Sequence, residues 1–325
     1  MSISHFIKEI GRGKEGAKSL STEQARELMN LILSGQASDL ELGAFCIAMR
    51  IKGETPQEMI GFLEAMQSSI KKISLDQGLE ISAQPKPLNK PVILIPSYNG
   101  ARKLPNLTPL LAGALAQRQF PVLVHGHSTE ANRISTQEIF EKLNWPMVVD
   151  EKASTPLSLT QGRALYVSMR CLSLKITELL DIRKTIGLRN SSHSLVKILN
   201  PIENKWPVLQ LSSYTHPEYL KSMSTAFELL ERNVLFFRGT EGEAVADPRR
   251  TPKMTGFIRG KSQTMVDQDS GTVASNFNYP QTTDPIETSL FIKKVLAGEI
   301  EMPYSIKAQI SAIEELSLKI CNSEI

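Results

Sequence analysis

The residues best placed to do chemistry cluster after two short apolar runs. Val92-Ile93-Leu94-Ile95, bounded by Pro91 and Pro96, predicts a buried strand and leads into the polar loop Ser97-Tyr98-Asn99-Gly100-Ala101-Arg102-Lys103. Thr108-Pro109 then predicts a helix start, with Thr108 as N-cap and proline at the first helical position. A second apolar run, Phe120-Pro121-Val122-Leu123-Val124, ends in His125-Gly126-His127-Ser128. Strand, helix and strand make a right-handed crossover, a unit whose ligands bind beyond the carboxyl ends of its strands. That edge carries Asn99, Gly100, Arg102, Lys103 and a helix N-terminus, all suited to an anion. The same residues suit equally well an ordinary crossover with a solvated basic loop.

Further along lie Arg183, Lys184, Arg189 and Lys197, then Arg249, Arg250 and Lys253. Residues 161–260 hold fifteen Lys/Arg against nine Asp/Glu, although the whole chain carries only +3. Such asymmetry points to a polyanionic partner or to a solvated face. Glu241, Glu243 and Asp247 follow the apolar run Val234-Leu235-Phe236-Phe237; the two glutamates suit loop amides or a pairing with Arg249. His125 and His193 have no carboxylate at a recognisable spacing, so a structural hydrogen-bonding role is expected for both.

The elements that must position these groups begin with helices. Ser21-Thr22-Glu23-Gln24, Ser38-Asp39-Leu40-Glu41 and Thr55-Pro56-Gln57-Glu58 each fit a capping box. Apolar stripes follow at helical spacing: Ala25, Leu28, Met29 and Ile32; Leu42, Phe45 and Met49; Met59, Phe62 and Leu63. Gly35 and Gly53 fall where helices should stop. Before them, residues 11–18 are glycine-rich and basic but do not match a phosphate loop, and read as a mobile linker. Residues 72–90 read as an extended connector. Helices are expected over 136–143, 168–186 and 305–321, a strand over 147–149, and a fourth capping box at Asp284-Pro285-Ile286-Glu287. The pattern implies an α/β fold: a mainly parallel sheet wrapped by helices, with a small helical domain in front.

With 325 residues, 41% hydrophobic and 22% charged, the chain has the composition of a globular protein able to bury a full core. No apolar run is long enough for a membrane span, and no signal-peptide core opens the chain. Cys46, Cys171 and Cys321 stand far apart in no CxxC spacing, which suggests thiols in a reducing cytoplasm rather than zinc or disulfides.

The phrases Leu20-Ser21-Thr22-Glu23-Gln24-Ala25, Ser34-Gly35-Gln36, Leu42-Gly43-Ala44-Phe45 and Arg50-Ile51-Lys52-Gly53-Glu54-Thr55 resemble the helical domain of the anthranilate phosphoribosyltransferases. The resemblance runs to about residue 300. It implies a helical domain over 1–75, joined by a helical insertion at about 168–187, packed on an α/β domain of residues 76–167 and 188–325 that carries the phosphate cleft. It also implies a homodimer through the helical domains. The active-site motifs depart from the enzymes. Their Gly-Thr-Gly-Gly-Asp loop, which wraps a diphosphate, is here Pro96-Ser97-Tyr98-Asn99-Gly100, with one amide donor gone and a bulky ring inserted. Their Asn-x-Ser-Thr is partly kept as Asn106-Leu107-Thr108-Pro109. Their Lys-His-Gly-Asn-Arg becomes Val124-His125-Gly126-His127-Ser128, and their magnesium-holding Asp-Glu falls on Ala244-Val245. Arg189, Asn200 and Pro201 persist, Lys197 replaces a proline, and Arg183 sits where the enzymes place the arginine that meets the aromatic acid.

Those replacements, with Arg189-Asn190-Ser191-Ser192-His193 and Gly239-Thr240-Glu241-Gly242-Glu243, resemble the YbiB-type branch of this glycosyltransferase family 3 group. The resemblance implies a dimeric nucleic-acid-binding protein without demonstrated transferase activity, and with the Asp-Glu pair lost no cofactor or metal is expected. Lys197, Arg189, Arg183 and Lys184 would line one side of the old phosphate groove, Arg102, Lys103 and Asn106 the other, and Arg249 and Arg250 would extend the track. Tyr98, Tyr214 and Phe257 are candidates for base stacking. With no recognition-helix or zinc-finger pattern, binding should be largely independent of sequence, with single strands plausible targets. The alternatives are a magnesium-dependent phosphoribosyltransferase using Glu241, Glu243 or Asp247, or a nucleoside phosphorylase.

Overall fold

The computed structural model describes residues 2–73, 90–128, 130–150, 159, 162–270 and 279–322. The expected connector over 72–90, and with it the boundary near residue 75, lies almost entirely outside these residues.

All three N-terminal capping boxes close. Helices α1 (Ser4–Ile10) and α2 (Gly13–Gly16) precede α3 (Thr22–Leu33), α4 (Asp39–Lys52) and α5 (Pro56–Ser68). Ser21, Ser38 and Thr55 cap α3, α4 and α5, and Gln24, Glu41 and Glu58 return the bond to the cap backbone. Gly53 ends α4 at φ +79°, a conformation open to glycine. The glycine-rich segment is not a plain linker, since α2 forms a helical turn within it. Gly61 lets α3 and α5 touch: a Cβ there would lie 2.2 Å from the Thr22 carbonyl oxygen.

The rest winds around one sheet. In chain order its elements are β1 (Val92–Ser97), α6 (Thr108–Gln117), β2 (Val122–Gly126), α7 (Thr136–Leu143), β3 (Met147–Val148), β4 (Ala164–Ser168), α8 (Met169–Leu172), α9 (Leu174–Ile186) and α10 (Ser192–Leu195). Then follow β5 (Val208–Tyr214), α11 (Glu218–Leu229), β6 (Val234–Arg238), β7 (Met254–Ile258), β8 (Lys261–Val266), α12 (Pro285–Leu296) and α13 (Tyr304–Asn322). The strand order is β3-β4-β2-β1-β5-β6-β7-β8. The pairs from β3 through β6 are parallel; β7 and β8 add an antiparallel hairpin that the sequence reading did not anticipate. Helix was expected through 168–186, but extended Ser173 breaks it and caps α9 through Ile176 N. At α12 the box is half made: Asp284 accepts from Ile286 N and Glu287 N.

Alternation along the strands sends Val92, Leu94, Val234 and Phe236 into a core shared with the N-terminal helices and α9. Ile93, Ile95, Leu235 and Phe237 enter a second core under α6, α7, α12 and α13. The chain leaves β1 toward β2 and later returns to β5 on its other side, so the strand order switches direction at β1. Crevices open at such points, beyond the strand carboxyl ends. No helix among the described residues is long and apolar enough to cross a membrane.

Candidate functional site

Beyond β1 the backbone amides do bind anions, but the anions belong to the chain. Asn99 N and Gly100 N donate to Glu243 Oε1 at 2.7 and 2.6 Å. Arg102 N and Lys103 N donate to Glu241 at 2.5 and 3.0 Å. Both carboxylates come from the turn after β6, where Gly242 at φ +93° passes so near Asn99 that a Cβ would lie 1.8 Å from Nδ2. The glutamates thus take the loop-amide role; Arg249 pairs instead with Asp247 at 2.7 Å.

Asn106 is not a ligand-facing group. It is 3% exposed, its Oδ1 accepts from Thr108 N, and its Nδ2 donates to Thr136 Oγ1 at 2.9 Å. It therefore serves the capping role expected of Thr108, which lies inside α6 with Leu107 at the N-cap position. Tyr98 is buried with its hydroxyl 2.6 Å from His125 Nδ1, and Phe257 packs on Phe227, so neither can stack on a base. Burial pushes His125 down to about 3, which keeps it neutral, and does the same to His193 with help from Arg189 and Arg183.

The residues do not fit the magnesium that the alternative, a phosphoribosyltransferase, would need. Ala244 and Val245 are 0% and 1% exposed within the second core. Glu241, Glu243 and Asp247 are committed as above, and among the described residues no group of three or more His, Cys, Asp or Glu is placed to hold a metal ion.

What remains open is a cleft of about 670 Å³ between the end of α4, residues 189–197, the end of β5 and the start of α11. Three cations line it: Arg50, Arg189 and Lys197. Lys197 is 8% exposed and donates to the Gly242 carbonyl at 2.8 Å; burial pushes its ammonium down to about 8. Arg50 Nη1 donates to the Arg189 carbonyl at 3.2 Å. Tyr214 and Tyr219, both half-buried, supply aromatic surface. Glu54 also faces the cleft, where burial pushes its carboxyl up.

Arg183 joins this wall through Glu130, whose carboxylate it contacts at 2.5 Å while Arg189 contacts the same oxygen at 2.9 Å. Lys184 lies beside them but is paired with Asp181, which also takes His127. Arg102 and Lys103 are exposed on the loop whose Asn99 Oδ1 accepts from Arg189 at 3.3 Å. Of the groove residues nominated from sequence only Arg189 and Lys197 line the cleft; Arg183, Lys184, Arg102, Lys103, Asn106, Arg249 and Arg250 do not, and Arg250 donates to the Asp269 carbonyl. Sequence reasoning misses Arg50, Glu54 and Tyr219, which line the cleft, and Glu130 and Arg133, which adjoin it through Arg189. Arg50 and Glu54 sit inside a phrase whose signal is that of a helical domain, not of a cleft; Glu130 gives no local signal at all.

The helical bundle domain of the glycosyl transferase family matches residues 4–70. The uncharacterized protein YbiB of Escherichia coli strain K12 is 39% identical over 312 residues, covering 96% of this chain and 93% of its own. The anthranilate phosphoribosyltransferase of Metallosphaera sedula is 25% identical over 297 residues, 90% of this chain and 80% of its own. Among solved structures, the anthranilate phosphoribosyltransferase of Thermus thermophilus aligns with a TM-score of 0.67 over 98% of this chain and 89% of its own. Its 18% identity makes that likeness one of fold.

Proposed function

The chain belongs to glycosyltransferase family 3, in the YbiB-type branch with the anthranilate phosphoribosyltransferase fold, and on that premise we propose that it binds nucleic acid in the interdomain cleft. The supporting observation is a division of labour. The amides suited to a diphosphate are filled by Glu243 and Glu241, while an open cleft beside them is lined by Arg50, Arg189 and Lys197. Cations along a groove neutralise backbone phosphates without reading sequence. Tyr214 and Tyr219 offer faces for unpaired bases, which favours single strands.

We also propose a homodimer through the helical domain. Leu40, Ile47 and Ile51 recur along one face of α4 at 84, 37 and 56% exposure, an apolar stripe that a second copy would cover. Two clefts on one particle would raise avidity on long strands.

The relatives' names favour a second reading, phosphoribosyl transfer, and they support it more directly than they support nucleic-acid binding. Against it stand the filled amides and the apolar pair Ala244-Val245. The experiment sets the two side by side. Oligonucleotide binding is followed by fluorescence anisotropy, and consumption of phosphoribosyl diphosphate is followed with anthranilate and magnesium present. Binding without consumption is the expected result; consumption without binding would replace this reading by the second.

A further inference from the structure

Glu130, in the loop after β2, is gripped by Arg133 of the same loop and by Arg183 and Arg189 from the end of α9 and just beyond it. Arg183 Nη1 and Arg189 Nη2 converge on Oε1 at 2.5 and 2.9 Å, and Arg133 Nε lies 3.2 Å from Oε2. Guanidinium groups converging on oxygens are how proteins hold phosphate as well as carboxylate. One carboxylate cannot neutralise three guanidinium groups, so the cluster stays two charges positive with Glu130 in place. It adjoins the cleft through Arg189, the one member of the cluster that lines the cleft wall.

The cluster differs from the amide site in one respect that matters. Glu243 is 2% exposed and fixed in the core, whereas the Glu130 side chain retains 17% exposure and those of Arg183 and Arg189 retain 19 and 30%. The Glu130 carboxylate is thus only partly buried, and a phosphate taking its place would keep the guanidinium donors paired as it moves aside.

We propose that Glu130 is an internal stand-in for phosphate: a backbone phosphate of a bound strand takes its place on Arg183 and Arg189, and Glu130 swings out to solvent. The proposal rests on the nucleic-acid reading above and names a phosphate subsite within it. It also gives the cleft a discriminating property. A tethered carboxylate competes at a high effective concentration, so a free small anion is a poor displacer. A strand that already engages Arg50 and Lys197 delivers its next phosphate with the same advantage and wins the exchange.

The test uses the full-length protein, a labelled single-stranded oligonucleotide and the variants Glu130→Gln and Glu130→Ala. Both variants should bind about five- to tenfold more tightly at low salt, since a like charge has been removed from the phosphate's place. Inorganic phosphate, a poor competitor against the wild type, should become an effective one against the variants. In the wild type, the Glu130 side-chain carboxyl carbon resonance should shift as the oligonucleotide is added. Unchanged or weaker binding by variants that melt like the wild type would overturn the proposal, as would an unmoved resonance at saturation. Wild-type protein that fails to bind the oligonucleotide at low salt would instead overturn the nucleic-acid reading, and this subsite with it.

Discussion

Lys197 is a buried cation whose cost is visible in its surroundings. Its ammonium is held down at about 8, chiefly by burial, against about 10.4 in an unfolded chain. Between those values the unfolded state binds more protons than the folded one, so stability should rise with pH across that window and show the full penalty below it. Lys197→Met should therefore raise the melting temperature at pH 7. The Gly242 carbonyl that Lys197 occupies still accepts from Ser213 Oγ at 2.9 Å, so no acceptor is orphaned. The same change should weaken oligonucleotide binding, and wild-type binding should fall as pH rises through about 8 and the ammonium is lost. A variant that is both less stable and unaltered in binding would show Lys197 to be structural. Glu243 makes the opposite case. Glu243→Ala leaves Asn99 N and Gly100 N without their acceptor, and should cost about 2–4 kcal/mol in urea unfolding.

Among the elements, Glu58 has the widest reach. It closes the capping box of α5, accepts from Leu20 N at 2.9 Å just before α3, and meets Lys52 Nζ at 2.6 Å near the end of α4. Glu58→Ala should destabilise by about 3–5 kcal/mol, because the Lys52 side chain, 7% exposed, would keep a buried charge without its partner. Chemical denaturation with an unchanged slope would measure it. That box was legible in the sequence because capping depends on neighbours three residues apart. The crossover through β1, α6 and β2 was legible for a similar reason, its apolar runs being short and cleanly punctuated. The β7–β8 hairpin was not: Met254–Ile258 and Lys261–Val266 mix polar and apolar residues without a strong period, and their pairing is settled by β6 and α13. Ser173 reads as helix interior because no Gly or Pro in 169–177 marks the break that its extended backbone makes.

At the scale of the molecule, the edge beyond β1 reads from sequence as suited either to an anion or to an ordinary crossover, and that Glu243 occupies its amides could not be foreseen. Glu243 lies 144 residues from Asn99, and nothing local in either segment announces the other. For the same reason Lys197 and Arg189 could be nominated from sequence, whereas Arg50 emerges only when the helical layer packs against the sheet. The α4 stripe carries its own prediction: Ile47→Glu should shift the particle from dimer to monomer in sedimentation or light scattering and leave the fold intact. A wild type that is monomeric at high concentration would remove the dimer proposal.

The most direct test of the central claim is the salt dependence of single-stranded oligonucleotide binding for the wild type and Lys197→Met. Wild-type affinity should fall steeply with salt, and the variant should bind more weakly with a log–log slope shallower by about 0.7, the loss of one phosphate contact. No binding at low salt, or a variant indistinguishable from the wild type in affinity and slope, would contradict that claim.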